Sequence, residues 1–126
     1  MQPHRPFDRA SRVAEQIRQI VAQLCHERFS DPRLVGLQIT RVKVARDLRL
    51  ARIHYFLRGP EAAIHECQRA LEHAAGLMKH AINEQIALKF TPELKFHFDD
   101  AIEHGERIND LLRELQIDSP AEQDES

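Results

Sequence analysis

The spacing of apolar residues changes along this chain from a helical period to a period of two, which restricts it to a mixed α and β fold. A helix is predicted over about residues 9–27, because the apolar residues recur at intervals of three and four. They are Val13, Ile17, Ile20, Val21 and Leu24. The segment Asp31-Pro32-Arg33 ends this helix, since the residue before a proline is disfavoured in helical conformation.

Apolar and polar residues then alternate in two segments, from Val35 to Val44 and from Ala51 to Leu57, which predicts two strands. The apolar parity of the first segment changes near Thr40 and Arg41, as one extra residue in a β-bulge would produce. We expect the strands to pair as an antiparallel hairpin. Its outer face would then carry Gln38, Lys43, Arg52, His54 and Arg58, with Phe56 as a candidate for stacking on a base.

The second half predicts a helical pattern from about residue 61 to 88, interrupted at Ala74-Ala75-Gly76. A strand over 94–98 and a helix over about 101–115 follow. The expected fold is a two-layer α+β domain over 5–116, in the order helix, strand, strand, helix-kink-helix, strand, helix. Its three-stranded sheet has helices on one face. The acidic tail, 117–126, is expected to be disordered.

The 126 residues suit one domain. No apolar run approaches the roughly 20 residues that cross a bilayer, and the N-terminus lacks the apolar core of a signal peptide, so a cytoplasmic protein without membrane contact is expected. Cys25 and Cys67 lie among apolar helical positions and are expected to be reduced and buried. A monomer is expected because no long exposed apolar stripe is evident.

Charge is distributed very unevenly along the chain. Up to Arg58 there are 12 Lys and Arg against 5 Asp and Glu, whereas from Gly59 onward there are 6 against 15. This asymmetry indicates one surface for a polyanion and another that repels it, and arginine matches phosphate groups bidentately. An ordinary solvated charged face is an equally open interpretation at this point.

Catalytic and metal-binding patterns are weak. None of the eight histidines has the paired spacing of a zinc site, and with four glycines no loop is built to hold nucleotide phosphates. Asp99 and Asp100 follow the third predicted strand, where they are expected to cap the next helix rather than to catalyse hydrolysis. No catalytic residue, metal or cofactor is therefore predicted.

Five short segments, in register with the predicted elements, resemble the ribosome-binding factor A family over about residues 5–113. They are Arg12-Val13-Ala14, Asp31-Pro32-Arg33, Arg46-Asp47-Leu48 with Ala51, Ala74-Ala75-Gly76, and Pro92-Glu93-Leu94 with Phe96 and Asp99. The resemblance implies a type II KH-like fold in which a kink at Ala74 and Gly76 replaces the usual GXXG clamp. Ala87-Leu88-Lys89 and Lys79 stand where family members often carry further arginines.

The resemblance also implies a function. Members bind the free, immature small (30S) ribosomal subunit, assist maturation of 16S rRNA, support growth in the cold and leave before translation; a GTPase is a possible further partner. RNA contacts are expected from Arg9, Arg12, Arg33, Arg41, Lys43, Arg46, Arg49, Lys79 and Lys89. The alternative is a protein-interaction module that contacts a ribosomal protein or another assembly factor, with incidental RNA contacts.

Overall fold

The computed structural model of this chain describes residues 6–101, 109 and 111–115. Its elements are helix α1 (Pro6–Gln23), a π-helical turn (Leu24–Arg28), a 3-10 turn (Pro32–Leu34), strands β1 (Gln38–Val44) and β2 (Leu50–Phe56), helix α2 (Glu61–Gln85) and strand β3 (Glu93–Phe98). Residues 101, 109 and 111–115 are helical. The rest of the helix predicted over 101–115 and the predicted tail, 117–126, lie outside the described residues.

The three strands form one mixed sheet with β2 in the centre. Strand β2 is antiparallel to β1, which confirms the predicted hairpin, and parallel to β3. Helix α1 packs on β1, α2 packs on β3, and the two helices contact each other. Their apolar faces and the inner face of the sheet share one core, which includes Ile17, Val21, Ile53, Leu71 and Ile82. The two-layer α+β architecture is thus confirmed, and the opposite face of the sheet carries polar side chains.

The predicted β-bulge is present. The pairing of β1 with β2 shifts between Ile39 and Arg41, so Thr40 is the extra residue. The bulge lets both Ile39 and Val42 face the core although they are three positions apart. It therefore also fixes which side chains of β1 face outward.

The first strand begins later than predicted, at Gln38 rather than Val35. Gly36 has a φ of 83°, in the left-handed region, and the chain turns there before the strand starts. Val35 is 75% exposed as a result, while Leu37 is buried. The alternation at Val35 was a chance pattern within a turn.

The segment of the predicted kink lies within one continuous helix, α2. This helix runs without interruption from Glu61 to Gln85 through Ala74 and Gly76, and Gly36 alone among the described glycines has a positive φ. A helix tolerates an interior glycine at a cost of about 1 kcal/mol when its apolar face continues past that position. Here Leu71, Met78 and Ile82 continue that face, so α2 is one helix through Gly76, and a bend of its axis at Ala74 and Gly76 stays a prediction.

Both cysteines are free and buried in the core, as predicted. Burial is the main cause that raises the pKa of Cys25 to about 12 and that of Cys67 to about 11. Both thiols are therefore protonated near neutral pH and serve as small apolar side chains. Within the described part of the chain, no helix has the length and apolar character needed to span a membrane.

Candidate nucleic-acid interface

Three positive side chains lie side by side across the open face of the sheet. Lys43 on β1 is the register partner of Arg52 on β2, and Arg52 is the partner of Lys95 on β3. All three are exposed, and none lies within 4 Å of a described carboxylate. We call these three residues the basic row.

The basic row has an electrostatic cost. Neighbouring strands are about 4.8 Å apart, and like charges directly opposite each other destabilise a sheet. No described carboxylate lies within 4 Å of the three charges, and among them only Lys95 contributes, after Lys79, to lowering the pKa of a carboxyl, that of Glu93, so an external anion would relieve the repulsion. Phosphates in succession along a nucleic-acid strand are anions of this kind.

A second row lies beside the first, two residues later on β2 and β3 and two residues earlier on the antiparallel β1. Arg41 is the partner of His54, which in turn is the partner of His97. The two imidazole rings have centroids 5.5 Å apart. Partial burial, followed by the nearby charges of Arg41 and His97, lowers the pKa of His54, so this ring is mainly neutral at pH 7. The row therefore combines one fixed charge with the His54 imidazole, which in its neutral form can donate and accept hydrogen bonds.

Arg41 is anchored by a carboxylate at the bulge. Its Nε lies 3.7 Å from Oδ2 of Asp99, which also accepts a 2.7 Å hydrogen bond from the Thr40 hydroxyl. Oδ1 of Asp99 accepts the backbone N–H of Ala101. The hydrogen bond from Thr40 is the main cause that lowers the pKa of Asp99. Asp99 thus caps the following residues, as predicted, and holds the bulge to the end of β3.

Two further predicted RNA-binding cations, besides Arg41, have carboxylate partners within the fold. Nε and Nη2 of Arg33 donate to the two carboxylate oxygens of Asp31, and the Nη2–Oδ2 distance is 2.8 Å. This pair lowers the pKa of Asp31 to about 2. Nζ of Lys79 lies 2.8 Å from Oε1 of Glu93. Arg33 and Lys79 are therefore held by structural contacts, which the charge count alone did not indicate.

Apart from Arg33, Arg41 and Lys79, the predicted cations are exposed and have no described carboxylate within 4 Å. Arg9 and Arg12 lie on α1, Arg46 and Arg49 in the β1–β2 turn, and Lys89 before β3. The structure brings Arg9, Arg49 and Lys89 together around one surface pocket beside that turn. Phe90 belongs to the same pocket, and we call these four residues the turn pocket.

Sequence patterns missed three residues of these surfaces. Arg52 was expected on the outer face among the basic residues of the hairpin but was not selected as an RNA contact, and Lys95 and Phe90 were not selected either. Alternation in each strand identified the outward side chains, but only the register shows that Arg52 and Lys95 are neighbours. Conversely, Phe56 was a stacking candidate and is only 6% exposed, because its ring stacks on Phe98 at 5.6 Å between centroids.

Comparisons with known proteins agree with this fold. A family model described as Ribosome-binding factor A matches residues 9–112. The ribosome-binding factor A of Geobacter sulfurreducens is 40% identical over 112 residues, which cover 89% of this chain and 95% of the relative.

Two structural likenesses support the fold alone. The crystal structure of ribosome-binding factor A from Thermus thermophilus matches with a TM-score of 0.62 at 20% identity, over 70% of this chain and 93% of that one. A homology model of the Thermus thermophilus factor, fitted into a cryo-electron-microscopy map of a complex of 30S with that factor, matches with a TM-score of 0.58 at 23% identity. That match covers 72% of this chain and 96% of the other.

Proposed function

Since this chain belongs to the ribosome-binding factor A family, we propose that it binds the free small (30S) ribosomal subunit and assists maturation of its 16S rRNA. The observation that carries the proposal is the basic row, Lys43, Arg52 and Lys95, whose mutual repulsion an RNA backbone would offset. The Thermus thermophilus relative, which has been placed in a map of its complex with 30S, supports the same partner.

The proposed RNA surface extends from the basic row to the exposed cations around the β1–β2 turn. Besides the row it comprises Arg9, Arg12, Arg41, Arg46, Arg49 and Lys89. Arg33 and Lys79 position the loop before β1 and the start of β3 through Asp31 and Glu93. The domain proposed to carry this surface spans 5–116.

The proposed mechanism is non-enzymatic. By binding one conformation of the rRNA more tightly than its alternatives, the protein shifts the folding population toward that conformation. No bond is made or broken, and neither metal nor cofactor is needed. We further propose that the protein acts in the cytoplasm as a monomer and supports growth in the cold. It would leave the small subunit before translation, and a GTPase would be a functional partner.

Co-sedimentation tests the proposal. Tagged protein is mixed with free small subunits, assembled ribosomes and naked rRNA at two salt concentrations. We expect selective, salt-sensitive association with free small subunits. Equal association with all three, or none, would refute the proposed function.

A set of substitutions separates RNA binding from protein binding. The variant Lys43→Gln, Arg52→Gln, Lys95→Gln neutralises the basic row, and Arg18→Gln, Arg28→Gln, Arg69→Gln removes the same charge from the helical segments as a matched control. We expect only the first variant to lose small-subunit association and to accumulate unprocessed 16S rRNA precursor in cells. If association persists in the first variant and is lost on changing acidic residues of α2, the protein-interaction alternative is correct.

A further inference from the structure

An exposed aromatic ring is surrounded by cations beside the β1–β2 turn. Phe90 lies between α2 and β3 and is 48% exposed. The guanidinium carbon of Arg49 lies 4.4 Å from the centre of its ring, and Nζ of Lys89 lies 5.6 Å from the same point. With Arg9 these residues line a cavity of about 300 Å³.

The backbone of Arg49 is fixed by hydrogen bonds on both sides. Its N–H donates to Oδ1 of Asp47, and its carbonyl accepts the N–H of Glu93 at 2.9 Å. The turn before it is closed by the N–H of Leu48, which donates to the carbonyl of Ala45 at 2.8 Å. The backbone from which the Arg49 side chain reaches Phe90 is therefore fixed at the junction of the turn with β3.

Leu48 adds a second sign that this turn has a defined shape. It has a φ of 62°, in the left-handed region that a leucine rarely adopts. Its side chain lines the cavity and packs against the core. Strained backbone of this kind persists only where surrounding contacts hold it, and it is enriched at binding sites.

We propose that the turn pocket binds one unpaired nucleotide of RNA, with its base stacked at Phe90 and Arg49 and its phosphates contacted by Arg9 and Lys89. The inference rests on the proposed function and specifies the RNA it recognises. A cavity of about 300 Å³ lies at the small end of ligand sites, as suits a single nucleotide. Asp47 is the acidic residue in the lining, and its Oδ1 already accepts the Arg49 N–H.

Base stacking is the chemistry that distinguishes this pocket from the basic row. Every base presents a π-face, and both an aromatic ring and a guanidinium plane can stack on it. In duplex RNA the bases are already stacked on each other, so they are unavailable to Phe90. The turn pocket therefore selects single-stranded RNA, whereas the basic row contacts phosphates of any conformation.

The first test follows the ring protons of Phe90 by NMR in the full chain. We expect an upfield shift on adding penta-adenylate, because the ring current of a stacked base shields them. The same pentamer with an abasic central position, or a blunt-ended duplex RNA without unpaired bases, serves as comparison and should shift them less. Equal shifts with the intact and the abasic pentamer would overturn the proposal.

The second test uses affinity. Phe90→Leu keeps an apolar side chain but removes the π-face, and we expect about tenfold weaker binding of penta-adenylate. Phe90→Tyr should retain parent affinity, and Leu77→Ala, at a 64% exposed position on α2, controls for loss of surface apolar area. Unchanged affinity in Phe90→Leu, or equally tight binding of free adenosine monophosphate by the parent, would overturn the assignment to RNA.

Failure of the turn-pocket inference and failure of the proposed function give different experimental results. If the parent and Phe90→Leu bind free small subunits and penta-adenylate equally, this inference fails and the proposed function stands. If the parent does not bind small subunits, the proposed function fails whatever the pentamer does.

Discussion

Lys95 on β3 is the register partner of Arg52 on β2, so two positive side chains from strands separated by helix α2 lie side by side on the open face of the sheet. Lys43 extends the pair to β1. The chain as a whole is slightly acidic, with a net charge of −2. Folding therefore concentrates positive charge on one surface that composition does not reveal, and this surface is the basis of the predictions below.

Neutralising Arg52 should weaken binding to the small subunit without lowering the stability of the fold. Arg52→Gln should weaken binding to free small subunits and make the salt slope of log affinity less negative by about 1, since one phosphate contact is lost. Its free energy of unfolding should stay the same or rise by a few tenths of a kcal/mol, because cross-strand repulsion is removed. Titrations at several salt concentrations and urea unfolding measure both, with Arg69→Gln on α2 as control. An equal loss of affinity in the control would contradict a specific role for the open face.

Two glycine substitutions should change stability in opposite directions. Gly76→Ala should raise the free energy of unfolding by about 1 kcal/mol, because Gly76 is helical and an added Cβ meets nothing within 4 Å. Gly36→Ala should lower it by about 1 kcal/mol or more, since alanine is disfavoured at a φ of 83°. The added Cβ there meets Leu57 Cδ1 at an ordinary 3.7 Å, so the cost comes from the backbone. A loss of stability in Gly76→Ala, measured by urea unfolding, would contradict an ordinary helical conformation at Gly76.

Removing the Thr40 hydroxyl should weaken the bulge in a pH-dependent way. Thr40→Val keeps the shape but leaves Asp99 without its 2.7 Å hydrogen bond, so stability at pH 7 should fall by about 1 to 2 kcal/mol. The pKa of Asp99 is lowered in the folded protein, so its contribution is present above its unfolded pKa of about 4 and is lost as pH falls through the folded value. The difference between parent and variant should therefore shrink in acid. Unfolding curves at pH 7 and at pH 3 measure it, and a constant difference would show that the hydroxyl acts independently of Asp99 ionisation.

The two thiols should resist modification in the folded state. Because burial raises the pKa of Cys25 to about 12 and that of Cys67 to about 11, the reactive thiolate is scarce at pH 8. A disulfide reagent should label both residues rapidly in denaturant and only slowly in native buffer. Rapid labelling of either thiol in native buffer would show that this part of the core opens readily.

Local patterns predicted the elements well wherever one period dominated. The parity change at Thr40 predicted the bulge, because an extra residue must shift every later side chain to the other face. Local pattern did not decide how the chain passes Gly76, since a glycine weakens a helix without necessarily ending it, and burial of Met78 and Ile82 maintains this one.

The candidate site depends on contacts that no local pattern contains. Thr40 and Asp99 are 59 positions apart in sequence and meet only through the pairing of β1, β2 and β3. Arg49 and Phe90 meet because β2 and β3 are parallel neighbours. The charge pattern correctly placed Lys43 on the outer face but could not show that Arg33 and Lys79 are held by Asp31 and Glu93.

The salt dependence of binding to purified free small subunits tests the central claim most directly. If about six phosphates are neutralised, log affinity should fall with log salt at a slope of roughly −4 to −5. The slope of the variant Lys43→Gln, Arg52→Gln, Lys95→Gln should be shallower by about 2 to 3. A parent slope near zero, or an identical slope in the variant, would contradict RNA binding through the open face of the sheet.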